Sequence, residues 1–169
     1  MKRVAERVDF IANICVIGAA LLFVCSVGGL ALRNRSSIHR PHTSIEKGTK
    51  LKLPGRDWSM SPQTLVLVLS VDCKYCTASA PFYGRLVAQL ALAHNTKLIA
   101  LFPQAPNESR EYLARLKVKI DDVQQAALPS VGAKGTPTLI LVNASGVVIQ
   151  SWEGLLPPDA ETELLASVK

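Results

Sequence analysis

Thr64-Leu65-Val66-Leu67-Val68-Leu69-Ser70-Val71, followed at once by Asp72-Cys73-Lys74-Tyr75-Cys76, joins a β-rich apolar run to a pair of cysteines. The run is too short for a bundle helix and rich in β-formers, so it reads as a central strand buried on both faces. Behind the cysteines, Phe82, Leu86, Leu90 and Ala93 recur at helical spacing as far as His94. A strand, a cysteine turn and a helix therefore follow one another.

Working outward, Lys97 to Phe102 is apolar and strand-like, Glu108 to Lys117 is helical, and Thr138 to Val142 is another buried strand. Strands that alternate with helices imply βαβ topology. Asn143-Ala144-Ser145-Gly146 is a turn, so Val147 to Trp152 should pair antiparallel with the strand before it. Pro157-Pro158-Asp159 opens a last helix, with Asp159 and Glu161 near its positive end. On the N-terminal side, Leu51 and Leu53 alternate with Lys50 and Lys52 before the Pro54-Gly55 turn, which suggests a short edge strand. The expectation is an α/β domain over residues 48–169 with a central mixed sheet flanked by helices.

Hydrophobic residues make up 49% of the 169-residue chain, but they are unevenly placed. Residues 1–9 form a basic start with Lys2, Arg3 and Arg7, whereas Phe10 to Leu32 carries no charge. As a helix the latter would be about 35 Å long, enough to cross the roughly 30 Å hydrocarbon layer of a bilayer. It reads as a transmembrane signal anchor over residues 10–32; the alternative is a cleavable signal peptide ending near Gly29-Leu30-Ala31. Residues 33–47 are polar, basic and broken by Pro41, and read as a tether. Lys and Arg flank both ends of the span, so charge alone does not orient it. A signal-like start ahead of a domain that carries a close cysteine pair favours export, placing the chain as a single-pass membrane protein with its domain on the extracytoplasmic side.

The formal net charge is +6, but the basic residues are scattered and no aromatic-interleaved basic strip appears, so nucleic acid is not an expected partner. Cys15 and Cys25 lie inside the apolar span and read as packing residues.

Two cysteines separated by two residues at a helix start can close a small disulfide and reopen it without rearranging the fold. The positive end of the helix and neighbouring Lys74 favour a thiolate on Cys73, the species that attacks in disulfide exchange, while Asp72 opposes it. Cys73 is the expected nucleophile and Cys76 the resolving thiol. A zinc site would need a second ligand pair; His39, His42 and His94 form no spaced pair, so no metal is expected. A purely structural disulfide would close too short a loop to remove much chain entropy.

The region from Gly48 to Lys169 resembles the thioredoxin superfamily. The likeness is carried by the buried strand ending before the Cys-x-x-Cys, by Pro81 in the following helix, and by Gly135-Thr136-Pro137-Thr138 ahead of the next buried strand. It implies a thioredoxin-like fold, a cis Pro137 lying against the disulfide, and a Thr136 backbone that pairs with the bound substrate chain. An X-Pro bond is the kind that adopts cis at modest cost; the other reading is that Pro137 merely starts a strand. The run from Gly135 to Trp152-Glu153-Gly154 looks most like the membrane-anchored TlpA/ResA branch. Departures stand beside it: Asp72 replaces the usual Trp, Leu67 replaces the buried strand acid, and Ser79 occupies the position where that branch often carries an acid. No buried carboxylate is left to take the Cys76 proton.

The sequence thus leads to a membrane-anchored thiol:disulfide oxidoreductase exchanging disulfides with exported proteins through Cys73 and Cys76, supported by Lys74, Tyr75, Thr136 and Pro137. No bound cofactor is expected beyond the redox-active cysteine pair, and the expected partners are protein thiols or disulfides and a dithiol electron donor or acceptor. Trp58, Tyr75 and Phe82 are expected either to ring the site as a docking surface or to be ordinary packing. A copper- or metal-delivery protein and a protein-docking module on the same fold are the alternatives. Peroxidase chemistry is disfavoured because no proline stands ahead of Cys73 in the pattern that chemistry needs.

Overall fold

In the computed structural model, residues 45–93 and 95–168 are described; the expected span, most of the tether, Cys15, Cys25 and His94 lie outside them. The apolar run forms β1 (Gln63–Val68). Its alternation has a direct use, because Leu65, Leu67 and Leu69 enter one core while Val66 and Val68 enter another. With both faces covered, every side chain from Leu65 to Val68 must be apolar. β1 ends at Val68 rather than Val71, although the Leu69 N–H still donates to the Leu101 carbonyl at 2.8 Å. Residues 70–72 are spent on turning the chain into the cysteine pair.

β2 (Thr96–Phe102) lies parallel to β1, and β3 (Val123–Gln125) lies parallel to β2. β4 (Thr138–Asn143) pairs antiparallel with the other edge of β1, and β5 (Val148–Glu153) pairs antiparallel with β4. The order is β3-β2-β1-β4-β5. The expected helix running to His94 is broken into α1 (Lys74–Ala78) and α2 (Ala80–Leu92) at Ser79. Pro81 falls in the first turn of α2, where its missing N–H costs nothing. α3 (Pro106–Arg115) and α4 (Pro158–Ser167) complete the α-helices among the described residues.

Both parallel crossovers, β1 to β2 and β2 to β3, step in the same direction across the sheet. Right-handed connections then place their helices on one face. Leu86 of α2 and Leu113 of α3 accordingly share a core with Leu65 and Leu67, and Leu164 of α4, which lies in neither crossover, packs into the same core. The opposite face is covered by Ile45, Leu51, Leu53, Trp58 and Val131. The expected edge strand at Leu51 and Leu53 reduces to one antiparallel bridge, Lys50 to Val147, though both leucines are buried. Ile45 is packed here too, its N–H and carbonyl both meeting the Ser151 hydroxyl.

The β4–β5 turn is held by the Asn143 side chain, which accepts from the Ser145 N–H at 2.9 Å and the Val147 N–H at 3.0 Å. Gly146 sits there at φ +73°, and a Cβ would come within 2.5 Å of the Trp58 ring. Gly146→Ala should therefore lower stability by about 1–2 kcal/mol for the left-handed backbone alone, and further for displacing Trp58. Gly84→Ala, in open space on α2, should be neutral or stabilising by up to about 1 kcal/mol. Urea-unfolding midpoints of the two variants check the contrast.

Candidate active site

β1 delivers the chain to its C-terminal edge, where the Cys73 N–H turns back to the Ser70 carbonyl at 3.2 Å. Cys73 then caps α1, with its sulfur accepting the Cys76 N–H at 3.1 Å. A helix start leaves its first amides unpaired, and Ser, Thr, Asp or Asn oxygens usually fill the need. Here a sulfur fills it. Cys73 is partly exposed, Cys76 is fully buried, and both are free thiols.

The loop before β4 closes over the pair. Cys73 Sγ donates to the Thr136 carbonyl at 3.2 Å, and the Thr136–Pro137 peptide bond is cis. The loop is held from behind by the Gly154 N–H on the Pro137 carbonyl at 2.8 Å and by Thr138 Oγ1 on the Gly135 carbonyl at 2.8 Å. Cys73, Cys76, Thr136 and Pro137, far apart in sequence, thus form one site.

The two thiols are driven in opposite directions. Burial pushes Cys73 up, but the hydrogen-bonding groups of Cys76 and Thr136 around its sulfur, the Cys76 N–H among them, outweigh it and hold Cys73 below its ordinary value. Burial pushes Cys76 up to about 12, and its interaction with Cys73 adds to the effect. One sulfur is disposed to be a thiolate and its neighbour to keep its proton.

Lys74 and Tyr75 lie between the cysteines, with the Lys74 ammonium 4.9 Å from the Tyr75 ring centre. Tyr75 is 48% exposed and is the aromatic that borders the site. Trp58 and Phe82 do not ring it. Trp58 is buried on the opposite face of the sheet beneath Gly146, and Phe82 is buried in the helix-side core. Their apolar bulk is used for packing.

Two neighbours were not anticipated from sequence. Gln104, just past the end of β2, donates its amide to Ser70 Oγ at 3.1 Å and approaches Asp72 Oδ2 at 3.4 Å. Its position was deducible, because adjacent parallel strands bring their C-terminal ends together. Tyr112 of α3 meets Thr77 Oγ1 through its hydroxyl at 3.0 Å, a contact between distant helices that no local pattern marks. Among the described residues, no three His, Cys, Asp or Glu side chains gather as a metal-ligand group.

No protein-family model and no curated protein matches the chain. Solved structures do. A protein named as the thiol:disulfide interchange protein DsbE from Chlorobium tepidum superposes with a TM-score of 0.57 at 22% identity, over 74% of this chain and 99% of its own. The thioredoxin domain of a thiol-disulfide oxidoreductase from Bacteroides vulgatus gives 0.57 at 15% identity, over 74% and 99%. A thiol:disulfide interchange protein from Bacteroides sp. gives 0.56 at 17% identity, over 74% and 91%. At these identities the likeness is one of architecture: the chain has a thioredoxin-like α/β fold, its mixed sheet and helices arranged as in these proteins.

Proposed function

We propose that the chain is a thiol:disulfide oxidoreductase that works through Cys73 and Cys76. The observation that carries this reading is the Cys73 sulfur itself, capping α1 through the Cys76 N–H and facing the Thr136–Pro137 loop. The named activities of the proteins that share the fold support it.

In the reducing direction, the Cys73 thiolate attacks one sulfur of a substrate disulfide. A Cys73–substrate bond forms, the substrate S–S bond breaks, and the departing sulfur takes a proton. Cys76 then gives up its proton and attacks Cys73, closing the Cys73–Cys76 disulfide and releasing the second substrate thiol. Two electrons pass to the substrate, and a dithiol donor must return them. The oxidising direction is the reverse and needs a disulfide acceptor. The sulfurs carry the electrons, so the reaction requires no bound cofactor. The Thr136 backbone is the docking group for the substrate chain, while Tyr75, exposed beside the sulfurs, supplies apolar contact and Lys74 local positive charge.

The segment over residues 10–32 anchors this domain in a bacterial inner membrane, with the site on the extracytoplasmic side and exported proteins as clients. In intact cells, the full-length Cys76→Ser chain should accumulate mixed disulfides at Cys73 with exported proteins, and Cys73→Ser should not. Capture of cytoplasmic proteins instead would contradict the location. Equal behaviour of the two variants would contradict the division of roles, and partner binding unchanged by removal of both cysteines would favour a docking module.

The opposed shifts of the two thiols give a pH signature. Cys73, lowered from an ordinary 9.0, keeps its thiolate above its folded pKa and loses it as pH falls through that value. Its alkylation rate should rise with pH and level off below pH 9.0. Cys76, raised to about 12, should stay unreactive over that range. Site-resolved mass spectrometry of iodoacetamide-treated protein measures both, and matching profiles would contradict the assignment.

A further inference from the structure

Cys76, Ser79 and Tyr83 fall at i, i+3 and i+7 across the junction of α1 and α2. The Ser79 N–H donates to the Tyr75 carbonyl at 3.0 Å and the Tyr83 N–H to the Ser79 carbonyl at 3.1 Å. Helical hydrogen bonding thus runs through the break and puts the three side chains on one face. They are 0%, 6% and 0% exposed. Helical side chains lean toward the N-terminal end over the preceding turn, which directs the Tyr83 ring back over Ser79 toward Cys76.

The Tyr83 hydroxyl is buried and has no hydrogen-bond partner, an arrangement that native cores rarely keep without a use for the group. Ser79 is near enough to favour the phenolate, yet its own hydroxyl is donated to the Tyr75 carbonyl at 2.9 Å and no hydrogen bond of proper geometry joins it to Tyr83. The ionisable groups that act on Tyr83 are Cys76, Tyr112 and Cys73. Burial pushes its phenol far up, and negative charge on Cys76 pushes it further. It therefore stays a neutral O–H donor, and the charge that opposes its ionisation is one that its dipole can stabilise. Among the described residues no Asp or Glu is buried, so no carboxylate shares this core with Cys76.

We propose that the Tyr83 hydroxyl donates a hydrogen bond to the Cys76 sulfur when that sulfur carries negative charge. This rests on the exchange reading above. In the resolving step the Cys76 S–H bond breaks, the Cys76–Cys73 bond forms, and the Cys73–substrate bond breaks; its electron pair leaves on the substrate sulfur, which gains the proton. Tyr83 keeps its own proton and steadies the sulfur while it is charged. In the oxidising direction Cys76 is the leaving group, and the same hydrogen bond favours its departure.

The test uses the full-length chain carrying Cys73→Ala, so that Cys76 is read without any exchange reaction. Its alkylation by iodoacetamide is followed against pH by site-resolved mass spectrometry, and its ¹³Cβ shift reports protonation independently of reagent access. Tyr83→Phe, which keeps the ring and removes only the unpaired hydroxyl, should move the Cys76 titration up by about one pH unit, or about tenfold in thiolate at a given pH. Tyr112→Phe, whose hydroxyl is already engaged with Thr77, should leave it in place. An unchanged titration in Tyr83→Phe, or the same shift in both variants, overturns the proposal. Either result leaves reversible Cys73–Cys76 exchange in the otherwise wild-type chain as a separate matter, since failure of that exchange would not alter the Cys76 titration.

Discussion

The Cys76 amide meets the Cys73 sulfur at 3.1 Å, and the rest of the site is arranged around that contact. A helix start needs acceptors for its first amides, and a thiolate is a stronger acceptor than a thiol because a hydrogen bond to a charged group is about twice as strong as one between neutral groups. The requirement of the helix and that of the proposed nucleophile are therefore met by the same atom. Cys76 supplies the amide but keeps its own sulfur in the core, where burial holds its proton in place. The asymmetry between two otherwise identical thiols follows from one turn of helix.

Holding a sulfur at such a point requires a base that does not give way. β1 provides it by being buried on both faces, with Leu65 and Leu67 locked on one side and Val66 and Val68 on the other. Each such side chain contributes on the order of 1.5–3 kcal/mol when fully buried. The neighbouring strand β4 starts at the same edge and brings Thr136 and Pro137 over Cys73, with Gly154 of the adjoining segment fixing the loop. The geometry of the site is a consequence of strand order: the cysteine pair leaves the sheet where the antiparallel neighbour enters it.

Much of this was legible in the sequence because the deciding signals are local. The two-sided apolar run, the Asn143 to Gly146 turn and the Pro158 helix start each state their conformation within a few residues, and the structure has β1, β4, β5 and α4 there. The cysteine pair was marked by its spacing. The Cys73–Thr136 contact spans 63 positions and came only through resemblance. β3 is three residues long, too short for any period to register. The gathering of α2 and α3 on one face depends on the order β3-β2-β1, which no single segment encodes. Trp58 stayed open between docking and packing for the same reason, since an aromatic reads alike whether it borders a site or closes a turn. Tyr83 was hidden by its surroundings: within an apolar helix it reads as core, and the unpaired hydroxyl is visible only in three dimensions.

The proposed function stands on one property of the molecule, the reversible exchange of a disulfide between Cys73 and Cys76. Equilibrating the full-length chain in graded glutathione or dithiothreitol buffers, then trapping free thiols and mapping them by mass, tests it most directly. A single two-electron transition confined to Cys73 and Cys76 is expected, with a midpoint between about −120 mV and −270 mV, the range spanned by oxidising and reducing members of such folds. A chain in which these two cysteines never form a reversible disulfide would contradict it.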